Sequence, residues 1–297
     1  MTLRLTDGTT ISHLSRPRQG MRHRVVFGVD GTGRAVAAKI ELIPGALEPE
    51  RRALEWLTSQ GGPAPRLRVA GRLDAASEYP GAVCLVTDRV AGAAPTSTDG
   101  WSRLGGALAR LSRLPWRGSD LTTLDHRDFL GLHERRVDDL DQATRRDLRE
   151  VLPAVPASYF ESPLILTHGD PGPGNFLDDG AAGTLIDWED AQISPRGLDL
   201  GRAIFIALAG SGPEGYVAVE GAARASAVTG GFLAAADDRP PARAEIRWWL
   251  SVAGVQFAHR RLERAGEPGV LHWLDAVTVL ESALSATSAP WSGHPTA

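Results

Sequence analysis

The stretch LILTHGDPGPGNFLDDGAAGTLIDWED, residues 164–190, constrains this chain more than any other. The apolar run Leu164-Ile165-Leu166 stops on His168-Gly169-Asp170, a Pro/Gly-rich loop follows, and a second apolar pair, Leu185-Ile186, runs straight into Asp187. Short apolar runs bounded by turn residues read as buried strands. Their ends are where a rigid scaffold presents chemically active side chains on loops. Asp170 and Asn175 are five apart across Pro171-Gly172-Pro173-Gly174, a loop that lets both side chains face one ligand, and Asp187 arrives from the neighbouring hairpin strand. Asp, Asn and Asp make an all-oxygen set suited to Mg²⁺, a hard cation that keeps waters and accepts phosphate oxygens. Aspartates also favour turns and strand ends for local reasons. That plainer reading leaves their joint occurrence with His168 and an isolated lysine unexplained.

Of the 32 basic residues only Lys39 is a lysine; the rest are arginine. Such usage fits a GC-rich genome in which arginine replaces lysine wherever either serves. A compact ammonium and a planar guanidinium are not interchangeable beside phosphates, so the survivor invites a chemical explanation, with chance retention as the alternative. Residues 24–40, RVVFGVDGTGRAVAAKI, predict a β-hairpin around Asp30-Gly31-Thr32-Gly33. On its second strand Val36, Ala38 and Ile40 share one face; Ala35, Ala37 and Lys39 share the other. Lys39 therefore projects from a face kept shallow by alanines. LEPERRALEWLTSQGG then predicts a helix with Pro49 early and Gly61-Gly62 after its end. Leu47, Leu54 and Leu57 form its apolar stripe, and Glu50 falls on that stripe. A carboxylate on a buried face needs a partner, which makes Glu50 the candidate for Lys39; Glu55 lies opposite and is solvated.

At 297 residues the chain exceeds one core of typical size. The break Ala91-Gly92-Ala93-Ala94-Pro95, after the strand-like AVCLVTDRV, places a boundary between residues 1–90 and 91–297. Beyond it the pattern is mainly helical, to about residue 286, with a loose tail. Net charge −4 argues against a nucleic-acid partner. No apolar stretch approaches the ~18 residues that cross a bilayer, and MTLRLTDGTTIS lacks a signal-peptide core, so a cytoplasmic monomer or homodimer without membrane contact is expected. The single cysteine, Cys84, reads as a buried core thiol. Ile246, Trp249, Leu250, Ala253 and Phe257 recur at helical spacing as core; Trp248 lies off that stripe and is left open as a stacking platform.

A lysine, its glutamate, a loop Asp, an Asn and a second Asp match the parts of a phosphoryl-transfer site. On HGDPGPGN and IDWED, with Lys39 and Glu50 upstream, the chain resembles the aminoglycoside phosphotransferase and choline kinase family, small-molecule kinases of the protein-kinase-like fold. The resemblance covers nearly the whole chain and implies a bilobal α+β fold, with a small antiparallel-sheet lobe carrying one helix and a larger, mainly helical lobe. It implies γ-phosphate transfer from ATP or GTP to a hydroxyl of a small molecule, with Mg²⁺. Asp170 becomes the base, His168 the brace of its loop, Asn175 and Asp187 the metal ligands, and Asp199 in GLDLGRAIF the support of the loop's backbone. Lys39 and Glu50 become nucleotide-site residues, and the hinge offers the Asp88 carbonyl and the Val90 N–H to the adenine edge. The phosphate-covering loop, RPRQGMRHRVVFG, keeps Gly20 but lacks Gly-x-Gly-x-x-Gly, so Arg18, Arg22 or Arg24 is expected to add charge there.

The acceptor remains open between an antibiotic and a primary metabolite such as a sugar or amino alcohol. Its pocket is expected from the helices around 125–152 and 200–285. Asp138, Asp139 and Asp141 are interleaved with arginines and form no net acidic cluster for a polycation. Two other classes compete: a catalytically silent nucleotide-binding scaffold, and a metal-dependent hydrolase using His168, Asp170 and Asp187 as ligands.

Overall fold

The computed structural model describes residues 2–15, 23–140, 142, 145, 154–209, 218–236 and 243–265. Six strands form one antiparallel sheet: β1 (Leu3–Arg4), β2 (Thr10–Ser15), β3 (His23–Asp30), β4 (Ala35–Glu41), β5 (Leu67–Arg72) and β6 (Val83–Asp88), in the order β1-β2-β3-β4-β6-β5. Asp30 closes the β3–β4 turn, its Oδ1 accepting from the Thr32 N–H at 2.8 Å and the Arg34 N–H at 3.0 Å. Register sets Lys39 opposite Val25 on one side and Leu85 on the other. The period-two alternation of β4 buries Val36, Ala38 and Ile40 with Leu3, Leu5, Ile11, Val26, Leu73, Cys84 and Val86. The opposite face is left to Ala35, Ala37 and Lys39. Burial pushes the Cys84 thiol up to about 12, as befits a core residue.

Helix α1 (Glu48–Gln60) follows β4. Pro49 and two glutamates occupy its first turn, and it stops at Gly61, whose φ of 67° lets its N–H reach the Leu57 carbonyl. Its buried face holds Ala53, Leu54, Leu57 and Glu50. Beyond the sheet come α2 (Thr98–Ser112), α3 (His126–Asp138), α4 (Ala157–Glu161), α5 (Gly197–Ala209), α6 (Ala218–Ala235) and α7 (Arg243–Ala265). Helix α2 lies against α6 at backbone contact: a Cβ on Gly105 would fall 2.0 Å from the Val228 carbonyl oxygen, and one on Gly231 1.9 Å from that of Ser102. The architecture is α+β, and the larger core runs from α1 through α2 to α5, α6 and α7.

In α7 one sequence expectation needs correction and one open reading is closed. Ile246, Trp249, Leu250 and Ala253 are buried, but Phe257 is 43% exposed, because the buried face here shifts to Val255 and Ala258 and leaves Phe257 at its margin beside Phe205. Trp248 is 2% exposed and cannot be an open stacking platform; it lies among Phe129, Tyr159, Leu198, Trp249 and Val252. The helical stretch expected beyond residue 265, and the tail, lie outside the described residues. Among the described residues no helix is long and apolar enough to cross a membrane.

Candidate active site

Strand β7 (Leu164–Thr167) pairs with β10 (Gln192–Pro195), and β8 (Phe176–Leu177) with β9 (Thr184–Leu185). The first pair leads into His168-Gly169-Asp170 and the second into Asp187. Gly169 has φ 83°, and a Cβ there would fall 2.1 Å from the Asp190 carbonyl oxygen. Only glycine lets the two loops pass this close. The His168 and Gly169 N–H groups donate to the two carboxylate oxygens of Asp199 at 2.6 and 2.9 Å. Burial pushes the Asp199 carboxyl above the ordinary range, against the pull of those two N–H groups and of Arg202. His168 Nδ1 accepts the Asp170 N–H at 3.2 Å, which assigns the ring proton to Nε2, 2.9 Å from the Ile186 carbonyl. Its ring packs on Trp188, with centroids 4.5 Å apart. Both ring nitrogens are engaged, so the hydrolase reading with His168 as a metal ligand fails. Among the described residues no cluster of three His, Cys, Asp or Glu side chains could hold a metal ion.

A one-turn 3₁₀ helix, Pro173–Asn175, folds the chain back. Asn175 Nδ2 donates to the Asp170 carbonyl at 3.0 Å and lies 3.4 Å from its Oδ2; the Ile186 N–H donates to the Asn175 carbonyl at 2.9 Å. Asp170, Asn175 and the strand leading to Asp187 thus form one hydrogen-bonded unit. Arg202 on α5 joins it, with Nη2 2.9 Å from Asp170 Oδ1 and Nη1 donating to the Gly169 carbonyl at 2.5 Å. Sequence reasoning passed over Arg202. The available signal was its spacing: three residues after Asp199, it shares that residue's helix face.

Lys39 Nζ lies 2.5 Å from Glu50 Oε2 and also donates to Asp187 Oδ1. Glu50 is 5% exposed, and its other oxygen lies 3.4 Å from the Trp188 N–H. Burial works against the Lys39 charge, yet Glu50 and Asp187 outweigh it and hold the ammonium above the ordinary lysine value. Burial pushes the Glu50 carboxyl up, while Lys39 pulls it down. A carboxylate and an ammonium this close and this enclosed stand as an ion pair, because either charge alone would be left without solvation. Asp187 takes φ 67°, a left-handed conformation rare outside glycine that concentrates at functional sites. Trp188, fully buried with its indole N–H on the Leu185 carbonyl at 2.9 Å, anchors the following residue; the motif contained it, but its anchoring role was not read from sequence.

The residues fit a hard divalent cation. With Nδ2 turned to Asp170, Asn175 keeps Oδ1 available, and Asp187 keeps Oδ2 beyond its contact with Lys39. Two protein oxygens with phosphate and water are what Mg²⁺ takes at such sites. At the end of β6, two residues before Val90, the Asp88 side chain is held by Arg68 in two hydrogen bonds of 2.6 Å. Gly20, Arg18 and Arg22 lie outside the described residues. The expectation for Arg24 is corrected: its guanidinium lies 3.1 Å from Glu78 and over the Tyr79 ring, committed to the β5–β6 connection. Asp178, assigned no catalytic part, holds Arg103 through two hydrogen bonds of 2.6 and 2.8 Å.

Residues 13–249 match the model of the phosphotransferase enzyme family. No curated protein matches the chain in sequence. Among solved structures, the GDP and kanamycin complex of APH(2")-IIia superposes with a TM-score of 0.59 at 17% identity, over 93% of this chain and 94% of that one. A choline/ethanolamine kinase family protein from Mesorhizobium loti gives 0.57 at 18% identity over 94% and 89%. A macrolide 2'-phosphotransferase type I gives 0.57 at 18% over 97% and 93%. At these identities the likeness establishes the fold, a two-lobed kinase-like arrangement with the sheet as the N-terminal lobe.

Proposed function

The chain belongs to the phosphotransferase enzyme family, and from that premise we propose that it moves the γ-phosphate of ATP or GTP to a hydroxyl of a small molecule, an antibiotic in the first instance. The observation that carries the reading is the convergence of one ammonium on Glu50 and Asp187 beside a loop that holds Asp170 and Asn175. Residues 1–90 serve as the nucleotide-binding lobe and 91–297 as the catalytic and acceptor lobe. Lys39, oriented by Glu50, contacts the nucleotide phosphates; the Asp88 carbonyl and Val90 N–H meet the base, and Gly20 lies in the loop over the phosphates. Asn175 and Asp187 hold Mg²⁺, which when bound neutralises phosphate charge. Asp170 accepts the proton as the acceptor oxygen bonds to the γ-phosphorus and the bond to the β-phosphate oxygen breaks. His168 and Asp199 keep that loop in place. Relatives of this fold include one solved with GDP and kanamycin and one described as an amicoumacin kinase, which supports an antibiotic acceptor.

Hydroxylated compounds incubated with the protein, magnesium and either ATP or GTP should yield one product heavier by a phosphoryl group. Asp170→Ala should cut that turnover by on the order of 10²–10⁴ while nucleotide still binds. Undiminished turnover in Asp170→Ala would remove the residue from its role as base. Binding of nucleotide with no transfer to any acceptor or to water would favour the silent scaffold, and phosphorylation of a sugar or amino alcohol alone would identify a metabolite kinase.

A further inference from the structure

One half-buried guanidinium in the site has no part in the reading above. Arg202 gives Nη1 to the Gly169 carbonyl at 2.5 Å and Nη2 to Asp170 Oδ1 at 2.9 Å, with 14% of its side chain exposed. Three residues earlier on the same helix face, Asp199 accepts the N–H groups of His168 and Gly169. The first turns of α5 therefore grip His168-Gly169-Asp170 with complementary groups: a carboxylate for the two amides, a guanidinium for the carbonyl and the carboxylate. Arg202 also lies close enough to Asp199 to favour that buried charge. The planar guanidinium offers its donors in a fixed fork, which an ammonium on a flexible stem does not reproduce.

We propose that Arg202 is a positioning residue of phosphoryl transfer: it fixes the Asp170 carboxylate through Oδ1, so that Oδ2, 3.4 Å from Asn175 Nδ2, is the oxygen presented to the acceptor hydroxyl. The inference rests on the phosphotransferase reading and on Asp170 as its base. Without the fork, the carboxylate can rotate about its χ angles and accept the proton from fewer bound geometries. Misplacement of a reacting group by about an ångström costs on the order of 10²-fold in rate, and that loss falls on kcat because neither Lys39 nor the hinge is touched.

The test compares wild type, Arg202→Ala and Arg202→Lys with magnesium and ATP or GTP, using an acceptor found in a panel containing kanamycin, a macrolide and choline. Arg202→Ala should lose about 10²-fold in kcat with nucleotide KM within about twofold. Tens of millimolar guanidinium should restore about tenfold of that loss, and methylammonium should not, since only the former reproduces the fork. Arg202→Lys should recover little. Unchanged kcat in Arg202→Ala would overturn the proposal. So would a kcat loss that accompanies a lowered melting temperature and that guanidinium leaves uncorrected, because the residue would then only hold the fold. Absence of phosphoryl transfer by the wild type to every panel member and to water would instead bring down the phosphotransferase reading, and the role of Arg202 with it.

Discussion

Two buried regions of this molecule handle polarity in opposite ways. At the junction between sheet and helices, charges are paired: Lys39 with Glu50 and Asp187, Asp199 with two N–H groups, Arg202 with Asp170 and Gly169, and His168 through both ring nitrogens. Among the helices α3, α4 and α7, aromatic rings interlock instead. Tyr159 lies 4.6 Å from Trp248 and 5.6 Å from Trp249 between centroids, and 5.0 Å from His126. There the Tyr159 hydroxyl and the Nδ1 atoms of His126 and His133 are buried without a hydrogen-bond partner among the described residues. A paired network fixes directions, as a reaction centre requires, because each donor has one place to point. Ring packing fixes volume and tolerates an idle polar atom, at a cost of roughly 1–3 kcal/mol for each such group.

The difference can be broken most forcefully at Lys39. Lys39→Met leaves Glu50 buried without its counter-ion, and the expected loss of stability is about 3–5 kcal/mol in urea unfolding, with turnover abolished. Lys39→Met/Glu50→Leu should regain most of that stability and none of the turnover, since packing can replace the pair but not its charge. Lys39→Arg should fold and fail to turn over. Full activity in the arginine variant would make the lone lysine an accident of codon usage.

The aromatic region should answer to acid. Burial, helped by the Arg136 charge, lowers His133 to about 4. A histidine whose folded value lies below its unfolded one loses stability as pH falls through that window, because the unfolded chain takes up the proton first. From the ordinary 6.5 down to about 4, at about 1.4 kcal/mol per pH unit, the ceiling is about 3 kcal/mol, and partial exposure brings the expected loss to about 1 kcal/mol. The melting temperature of the wild type should therefore fall more steeply between pH 6.5 and 4 than that of His133→Leu. Parallel curves would show that His133 finds a partner when protonated.

Smallest of all is the expected effect of Tyr159→Phe. Deleting a hydroxyl that has no partner should leave unfolding free energy within about 0.5 kcal/mol of wild type or raise it by up to about 1 kcal/mol. A loss above 1 kcal/mol would mean that the hydroxyl is bonded, and that the contrast between the two regions is overdrawn.

How much of this was legible beforehand depended on the distance over which each feature is determined. The β3–β4 hairpin and α1 were readable because Asp30-Gly31-Thr32-Gly33, Pro49 and Gly61 act on their own neighbours. Glu50 was readable as a candidate partner because a carboxylate on an apolar stripe is an anomaly in itself. Phe257 obeyed the same periodicity as Trp249, yet it is exposed while Val255 and Ala258 are buried, since a stripe extended from one part of a helix does not say which face its neighbours cover further along. Trp248 failed the stripe and is buried, because α3 and α4 close over a second face of α7 that no local pattern announces.

The sequence by itself determined the parts: which loops carry His168, Asp170, Asn175 and Asp187, that one lysine stands apart, and that residues 24–40 form a hairpin followed by a helix. These follow from φ preferences, alternation and spacing, which act over a few residues. Only the tertiary structure decided that Lys39 reaches Asp187 across 148 positions, that Gly169 must pass within contact of the Asp190 backbone, and that Arg202 reaches the Gly169 carbonyl and Asp170 from α5. Contacts between distant segments are chosen by the packing of the whole chain, where each buried charge must find the one partner that satisfies it.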